Sequence, residues 1–294
     1  MKIVKFKGGF GNQLFQYVFL RALQLNYHCE DVKADLSYFI DVENDRIRVP
    51  RIEELNITMD KASQSELADI WMFSHKGDTR KLRYRSAIFF EKTFNRQYYF
   101  ESDRSYRNLE DILQYQYYDG YWQSWRYLAG IENQIRDEIR LLGEPGEKTQ
   151  KIIAKISNEN AVFLGIRRGD YVETPRARKH FGSYDNAYFN QAIEIIKKRV
   201  ANPVFYIFSN DIEWVKQNMR FDCEKYYRED EDQTSDTEEL FVMAACKHAI
   251  IVNSTFQWWG AWLIENENKI VIAPQRWFAD GAPIDIVPDA WIKL

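Results

Sequence analysis

The sequence has 294 residues, 45% of them apolar and 16% aromatic, and its 40 Lys and Arg against 44 Asp and Glu leave a net charge of −4. That length exceeds one small core and fits about two domains of ordinary size. The charge balance excludes a polyanion bound along an extended surface, so no nucleic-acid partner is expected and any anion site must be local.

The chain opens Met1-Lys2-Ile3-Val4-Lys5-Phe6-Lys7, without the apolar run of a signal peptide, and no window reaches the roughly 18 uninterrupted apolar residues of a membrane span. A cytoplasmic location is expected. Cys29, Cys223 and Cys246 are widely spaced with no Cys-x-x-Cys pair, which supports neither a disulfide framework nor a structural zinc; all three are expected as buried thiols.

Ile3–Phe6 reads as a strand, followed by Gly8-Gly9-Phe10-Gly11 and then by Leu14, Phe15, Val18 and Leu25 at helical spacing. Val32–Leu36 is the next candidate strand. From there to about residue 110 basic and aromatic clusters alternate without a clear period. Asp119-Gly120-Tyr121-Trp122-Gln123-Ser124 reads as a turn into a short strand. Ile131, Ile135, Ile139 and Leu142 carry helical spacing, and Gly143-Glu144-Pro145-Gly146 stops that helix. A domain boundary is therefore expected near residue 150, giving 1–150 and 151–294. Beyond it, strands at Ala161–Leu164, Val204–Phe208, Ala249–Val252 and Lys269–Ala273 alternate with helices over Asp185–Val200, Ile212–Met219, Thr237–Lys247 and Thr255–Glu265. That alternation predicts a parallel α/β sheet.

In such a sheet ligands sit where loops leave the carboxyl ends of the strands. The first loop offers Gly9, Gly11, Asn12 and Gln13, where glycines let backbone amides approach a phosphate at a helix N-terminus, or simply form a tight packing turn. Gly9 and Gly11 with Asp35 downstream superficially match a dinucleotide fingerprint, but Leu14 holds the third glycine position. After Ala161–Leu164 come Arg167, Arg168, Gly169, Asp170 and Tyr171: two guanidiniums matched to a diphosphate, and a carboxylate that holds one of them or caps the next turn. The basic stretch Arg176, Arg178, Lys179, His180 reads as a solvated loop or a lid. Ser209, Asn210 and Asp211 end the next strand at a helix cap. Asp236 and Glu239 pair as a capping box, and a carboxylate there also suits the N1 and N2 donors of guanine. Asn253, Ser254, Thr255 and Phe256 offer hydroxyls and helix-start amides to a phosphate, while Trp258, Trp259 and Trp262 read as packing. Asp230-Glu231-Asp232 matches an Asp-x-Asp metal motif but lies in an acidic run read as a solvated loop, and the four histidines have no ligand spacing, so no metal is expected.

With these motifs in order, the chain resembles the α-1,2-fucosyltransferases of glycosyltransferase family 11, which use GDP-fucose. The match runs through Gly8–Tyr17, Ile166–Tyr171, Tyr206–Asp211 and Asn253–Trp262. The resemblance implies an α/β fold of GT-B type with two Rossmann-like domains facing a central cleft, residues 1–150 on the acceptor side and residues 151–294 binding GDP-fucose. It implies an inverting transferase without metal or other cofactor, moving L-fucose to the 2-hydroxyl of a terminal galactose on a glycan, in the setting of bacterial glycan or O-antigen assembly. Arg168 with Arg167 would neutralise the β-phosphate of departing GDP, Glu239 would read guanine, and Gly9–Gln13 would face the donor. The family usually has His immediately before Ile-Arg-Arg, where this chain has Gly165, so that position supplies no acid or base. Asp170 is then the nearby acidic candidate, as base or as arginine partner, and a late proton transfer to the phosphate is the alternative. The aromatic stretch from Tyr115 to Trp125, above all Tyr121, Trp122 and Gln123, is the candidate acceptor platform. A lipid-carried acceptor would place the enzyme peripherally at the inner membrane surface. A non-catalytic nucleotide-sugar or glycan binder and a protein O-fucosyltransferase are the competing readings.

Overall fold

A computed structural model describes residues 1–39, 49–57, 59–73, 82–168, 175–182, 184–228, 235–282 and 284–294, and of Arg176, Ala177 and Arg178 the helical backbone alone. The chain divides into two units, Met1–Leu142 with Ile284–Ile286, and Gly143–Pro283 with Val287–Leu294. The division expected near residue 150 thus falls at Leu142, where the Gly-x-Pro-Gly run begins. The return of Ile284–Ile286 has no sequence signature; Asp285 is tied there by the Trp125 N–H, 3.4 Å from its carbonyl, and by Arg126 Nε at 2.8 Å from its carboxylate.

The first unit is built on a four-stranded sheet in the order β2-β1-β4-β3, where β1 is Lys2–Lys5, β2 Val32–Asp35, β3 Tyr98–Phe100 and β4 Tyr117–Asp119. All three pairings are parallel. Ile3 and Val4 on the inner strand are fully buried, as a strand covered on both faces requires. Helix Phe10–Leu25 follows β1 and is buried nearly all round, with Leu14, Tyr17, Phe19 and Ala22 at 0% exposure. The stretch without a clear period holds helix Gln64–Ile70, closed by a Ser63–Glu66 capping box, and helix Leu82–Phe94. Asp119 ends β4, so the segment expected as a turn into a strand is instead the loop that leaves one. The helix expected over Ile131–Leu142 is shorter, Glu132–Glu138.

The second unit carries a six-stranded parallel sheet in the order β10-β9-β8-β5-β6-β7, with β5 Asn160–Ile166, β6 Pro203–Ser209, β7 Lys225–Tyr227, β8 His248–Ile250, β9 Val271–Ala273 and β10 Ile292–Lys293. Successive strands run outward from β5 to β7 on one side and from β8 to β10 on the other, which is the doubly wound order of a Rossmann sheet. Both units are therefore parallel α/β: the alternating pattern beyond residue 150 predicts the second, and the first agrees with what the resemblance implies. Val162, Leu164, Phe189, Ile193, Phe205 and Ile207 lie in the core between sheet and helices. Trp258 and Trp259 are 0% exposed, so their packing role holds. Cys246 is buried, whereas Cys29 and Cys223 are only half-buried.

Candidate active site

The strand order reverses between β5 and β8, and the crevice outside their carboxyl ends is where a sheet of this kind binds ligands. Arg167 and Arg168 leave β5 at that point. Arg168 is held on three sides: its N–H donates to Asn210 Oδ1 at 2.9 Å, its Nε lies 3.6 Å from Asp211 Oδ2, and its guanidinium stacks 3.3 Å from the ring centroid of Trp214. Asp211 caps helix Ile212–Asn218 by accepting from the Trp214 N–H, and Ser209 Oγ accepts from the Asp211 N–H at 3.1 Å. Capping and arginine placement are thus one arrangement: the residues that start the helix also aim the cation. Asp170 and Tyr171, and the acidic run Asp230-Glu231-Asp232, lie outside the described residues.

A third arginine joins this site without having been legible in the sequence. Arg228 follows β7, is 9% exposed, and puts its guanidinium 5.8 Å from the Phe208 ring. It acts electrostatically on Glu239, as does Arg167. Burial pushes the Glu239 carboxyl up from its ordinary range; Arg228 and Arg167 oppose that push and Asp236 adds to it. The capping box of helix Asp236–Ala244 is formed by Ser235 and Glu238, not by Asp236 and Glu239: Ser235 Oγ accepts from the Glu238 N–H at 3.2 Å and Glu238 accepts from the Ser235 N–H. The helix begins one residue earlier than expected. Glu239 is therefore released from capping and sits half-buried among arginines.

On the β8 side, Ser254 caps helix Thr255–Leu263, and Thr255 and Phe256 form its half-buried first turn. Asn253 is 2% exposed and its Nδ2 donates to the carbonyls of Phe181 and Trp277 at 2.7 and 2.8 Å, so its amide nitrogen ties loops together and does not face outward. Phe181 ends helix Pro175–Phe181, which replaces the loop expected over the basic stretch. In that helix His180 Nδ1 lies 2.6 Å from Asp280 Oδ2 and the ring stacks on Phe278.

Gly165 occupies the position where a histidine was expected, and Gln257 fills the space. A Cβ at Gly165 would meet the Gln257 amide group at 2.3 to 2.7 Å. Gln257 Oε1 accepts from the Val252 N–H at 3.1 Å, tying the end of β8 to the point where β5 gives way to Arg167.

In the first unit the loop after β1 turns through Gly8, whose φ of +83° and whose 2.6 Å approach to Asn12 Nδ2 both exclude a side chain. Gly9 precedes the helix with open space around it, and Gly11 is buried inside it. Gln13 is not outward-facing: at 1% exposure its Nε2 donates to the Gly8 and Val49 carbonyls and its Oε1 accepts from the Ile52 N–H. Asn12 stays half-buried and accepts from Gln123 Nε2 at 2.8 Å, which brings together two residues expected in different roles. Trp122 is not a surface platform. It is 0% exposed and stacks on Phe19 with centroids 3.8 Å apart. Tyr121 is the half-buried member of the expected acceptor group, with Lys7 Nζ 4.8 Å from its ring centroid.

Beneath that rim the sequence hides a buried charge network. Asp119 accepts from Lys5 Nζ at 3.4 Å, from Lys7 and from Tyr98 Oη. Burial alone would raise its carboxyl, but Lys5 and Lys7 outweigh burial and hold it far below the usual range. Asp35 accepts from Tyr117 Oη and from the Ser37 N–H, an internal use that leaves the dinucleotide reading without support. Glu101 accepts from the Tyr121 and Trp122 N–H groups at 2.6 and 3.1 Å, and burial pushes its carboxyl up to about 7.

Residues 1–293 match the profile of glycosyl transferase family 11. The chain is similar to the O-antigen biosynthesis glycosyltransferase WbnK of Escherichia coli, with 31% identity over 98% of both chains. It is also similar to an α-1,2-colitosyltransferase of Escherichia coli, at 28% identity over 99% of this chain and 98% of that protein. Its likeness to human galactoside α-(1,2)-fucosyltransferase 1 is 28% identity over 49% of this chain and 42% of that protein.

Proposed function

The chain belongs to glycosyltransferase family 11, and on that footing we propose that it is an inverting transferase moving L-fucose from GDP-fucose to the 2-hydroxyl of a terminal galactose on a glycan. The observation that carries the reading is Arg168, fixed by Asn210, Asp211 and Trp214 at the switch point of a Rossmann sheet, with Arg167 beside it. In glycosyl transfer the bond from C1 of the sugar to the diphosphate breaks as the acceptor oxygen bonds to C1 from the opposite face, and negative charge builds on the departing phosphate. A guanidinium already stacked on Trp214 and ion-paired with Asp211 meets that charge without reorganising, and removing one such donor typically costs about 3 to 4 kcal/mol of barrier. The arginines supply positive charge of the kind that a divalent cation gives other transferases. Glu239 accepts from N1 and N2 of guanine, and the proton of the attacking hydroxyl passes to Asp170 or to an oxygen of the leaving diphosphate.

A second reading concerns the sugar. The α-1,2-colitosyltransferase is similar over the full chain, whereas the human fucosyltransferase is similar over half. Colitose lacks the 3-hydroxyl of fucose, so the two donors differ at one group that either is or is not hydrogen-bonded. Incubation with GDP-fucose and with GDP-colitose, each with galactose-terminated acceptors, separates them: transfer from GDP-fucose to O2 of galactose supports the first reading, and transfer from GDP-colitose alone replaces it. Neither transfer nor hydrolysis of either donor would leave a non-catalytic binder, and transfer to protein hydroxyls in place of galactose would make it a protein O-fucosyltransferase.

A further inference from the structure

The helix Leu82–Phe94 carries its apolar residues on the wrong face for a core helix. Inward it presents Ala87 and Glu91, and Glu91 is fully buried, accepting from the Phe73 N–H at 2.8 Å and from Asn95 Nδ2 at 2.7 Å. Outward, Leu82 is 78% exposed, Phe89 62% and Phe94 59%. Phe90 joins them: its ring lies 5.4 Å from that of Phe73, 5.8 Å from Phe89 and 5.9 Å from Phe94, so the exposed rings form one continuous apolar surface. Scattered apolar side chains are ordinary on a protein surface, but a contiguous aromatic patch is a docking surface.

Charge selects the partner. From Arg80 to Arg96 the sequence holds Arg80, Lys81, Arg83, Arg85, Lys92 and Arg96 against the single acid Glu91, in a chain whose net charge is −4. Because Glu91 is turned inward, the exposed rim of Arg83 and Arg85, with Arg96 just past the helix end, meets no acid on that helix. Pairing with a second copy through this face would bring those arginines against each other across a two-fold axis. We propose that this face docks on an anionic lipid bilayer, Leu82, Phe89, Phe90 and Phe94 entering the headgroup boundary while the arginines contact lipid phosphates.

Docking there has a consequence for the site. Tyr84 of the same helix accepts from Lys5 Nζ at 3.2 Å, and Lys5 ends β1 just before the loop that leads to Asn12. The bilayer then lies at the unit that carries Asn12, Gln123 and Tyr121, where a glycan on a lipid carrier arrives. This last step rests on the proposed transfer to a glycan; the docking itself does not.

The test is cosedimentation of the full chain with vesicles of mixed phosphatidylglycerol and phosphatidylcholine, and with pure phosphatidylcholine, in the absence of donor and acceptor. The wild type pellets with the anionic vesicles and is released by salt. Arg83→Gln with Arg85→Gln lowers that partitioning about 30-fold, since each basic residue near such a surface contributes about 1 kcal/mol. Phe89→Ser with Phe94→Ser also lowers it, at an unchanged thermal midpoint because both side chains are solvent-exposed. Absence of binding at low salt, or binding untouched by both pairs of substitutions, overturns the proposal. So does a solution dimer that Phe89→Ser with Phe94→Ser dissociates, because the face is then a self-interface. Because no sugar is present, the outcome is separate from which donor the enzyme uses.

Discussion

A Cβ on Gly165 would lie 2.3 Å from Cδ of Gln257, so the two residues share one volume beneath the loops that carry Arg167 and Ser254. Overpacking of this kind costs about 1 to 3 kcal/mol, and it falls on the segment that aims Arg168. Gly165→His is expected to lower both thermal stability and kcat, and Gly165→His with Gln257→Ser to recover much of each, because the shorter side chain vacates the space. The coupling in a double-mutant cycle should reach about 1 to 3 kcal/mol. Additive effects would mean that Gln257 moves aside without consequence.

Arg168→Ala is expected to reduce kcat by about 100- to 1000-fold with little change in the thermal midpoint, since the side chain is 27% exposed and its interactions are local. Arg168→Lys should recover little, because an ammonium cannot reproduce the flat stacking on Trp214 together with the reach to Asp211. Trp214→Ala should then lower kcat more than it raises KM. An unchanged kcat in Arg168→Ala would remove this residue from the reaction.

Glu239 is expected to discriminate the base. Hydrogen bonds to a charged group contribute about 1.5 to 3 kcal/mol, so Glu239→Gln should narrow the preference for GDP over UDP, read as product inhibition, by about 10- to 150-fold. Arg228→Ala should act in the same direction, because it removes one of the cations that favour the ionised carboxylate. If GDP and UDP inhibition shift in parallel, Glu239 does not read guanine.

The parts of this site that were legible were those whose chemistry stands in a long element. Ala161–Leu164 is an uninterrupted apolar run, and two adjacent arginines only two residues beyond it, at the strand's end, leave little else for them to do. Arg228 was hidden because β7 has three residues, too few to show a period, so nothing marked the arginine as standing at a strand end. Helix Leu82–Phe94 was hidden because apolar residues lie on both its sides, Ala87 buried and Ile88 half-buried against exposed Leu82, Phe89, Phe90 and Phe94, so no single stripe stands out among the interspersed charges. Trp122 shows the limit of residue type as a guide. The same indole that could stack on a sugar fills the core against Phe19, and only the sharp bend at the end of β4, with φ of +55° at Trp122 itself, decides which. The cap at Ser235 was missed by one residue, and that one residue is what assigns Glu239 to the arginines.

If Arg167 and Arg168 supply the positive charge for the leaving group, activity should be unaffected by prolonged treatment with a strong chelator and unchanged on adding Mg2+ or Mn2+. Activity lost to the chelator and restored by Mn2+ would assign part of that charge to a metal and reopen the role of the acidic run at Glu229–Asp232.

The buried Glu101 gives stability a pH dependence of definite sign. Burial pushes its carboxyl up from 4.5 to about 7, so between those values the folded chain holds a proton that the unfolded chain has released. Stability from this group is therefore fully present below the unfolded value and is lost as pH rises through about 7, by at most about 1.4 kcal/mol for each pH unit. Glu101→Gln cannot titrate, though its amide leaves one of the Tyr121 and Trp122 N–H groups without a good acceptor, so the variant should start less stable at acid pH. As pH rises from 5 to about 7.5 the wild type loses ground against it. Urea midpoints of both proteins across that range measure the closing gap. Parallel curves would mean that Glu101 ionises at its ordinary value and that the two backbone donors, not burial, govern its charge.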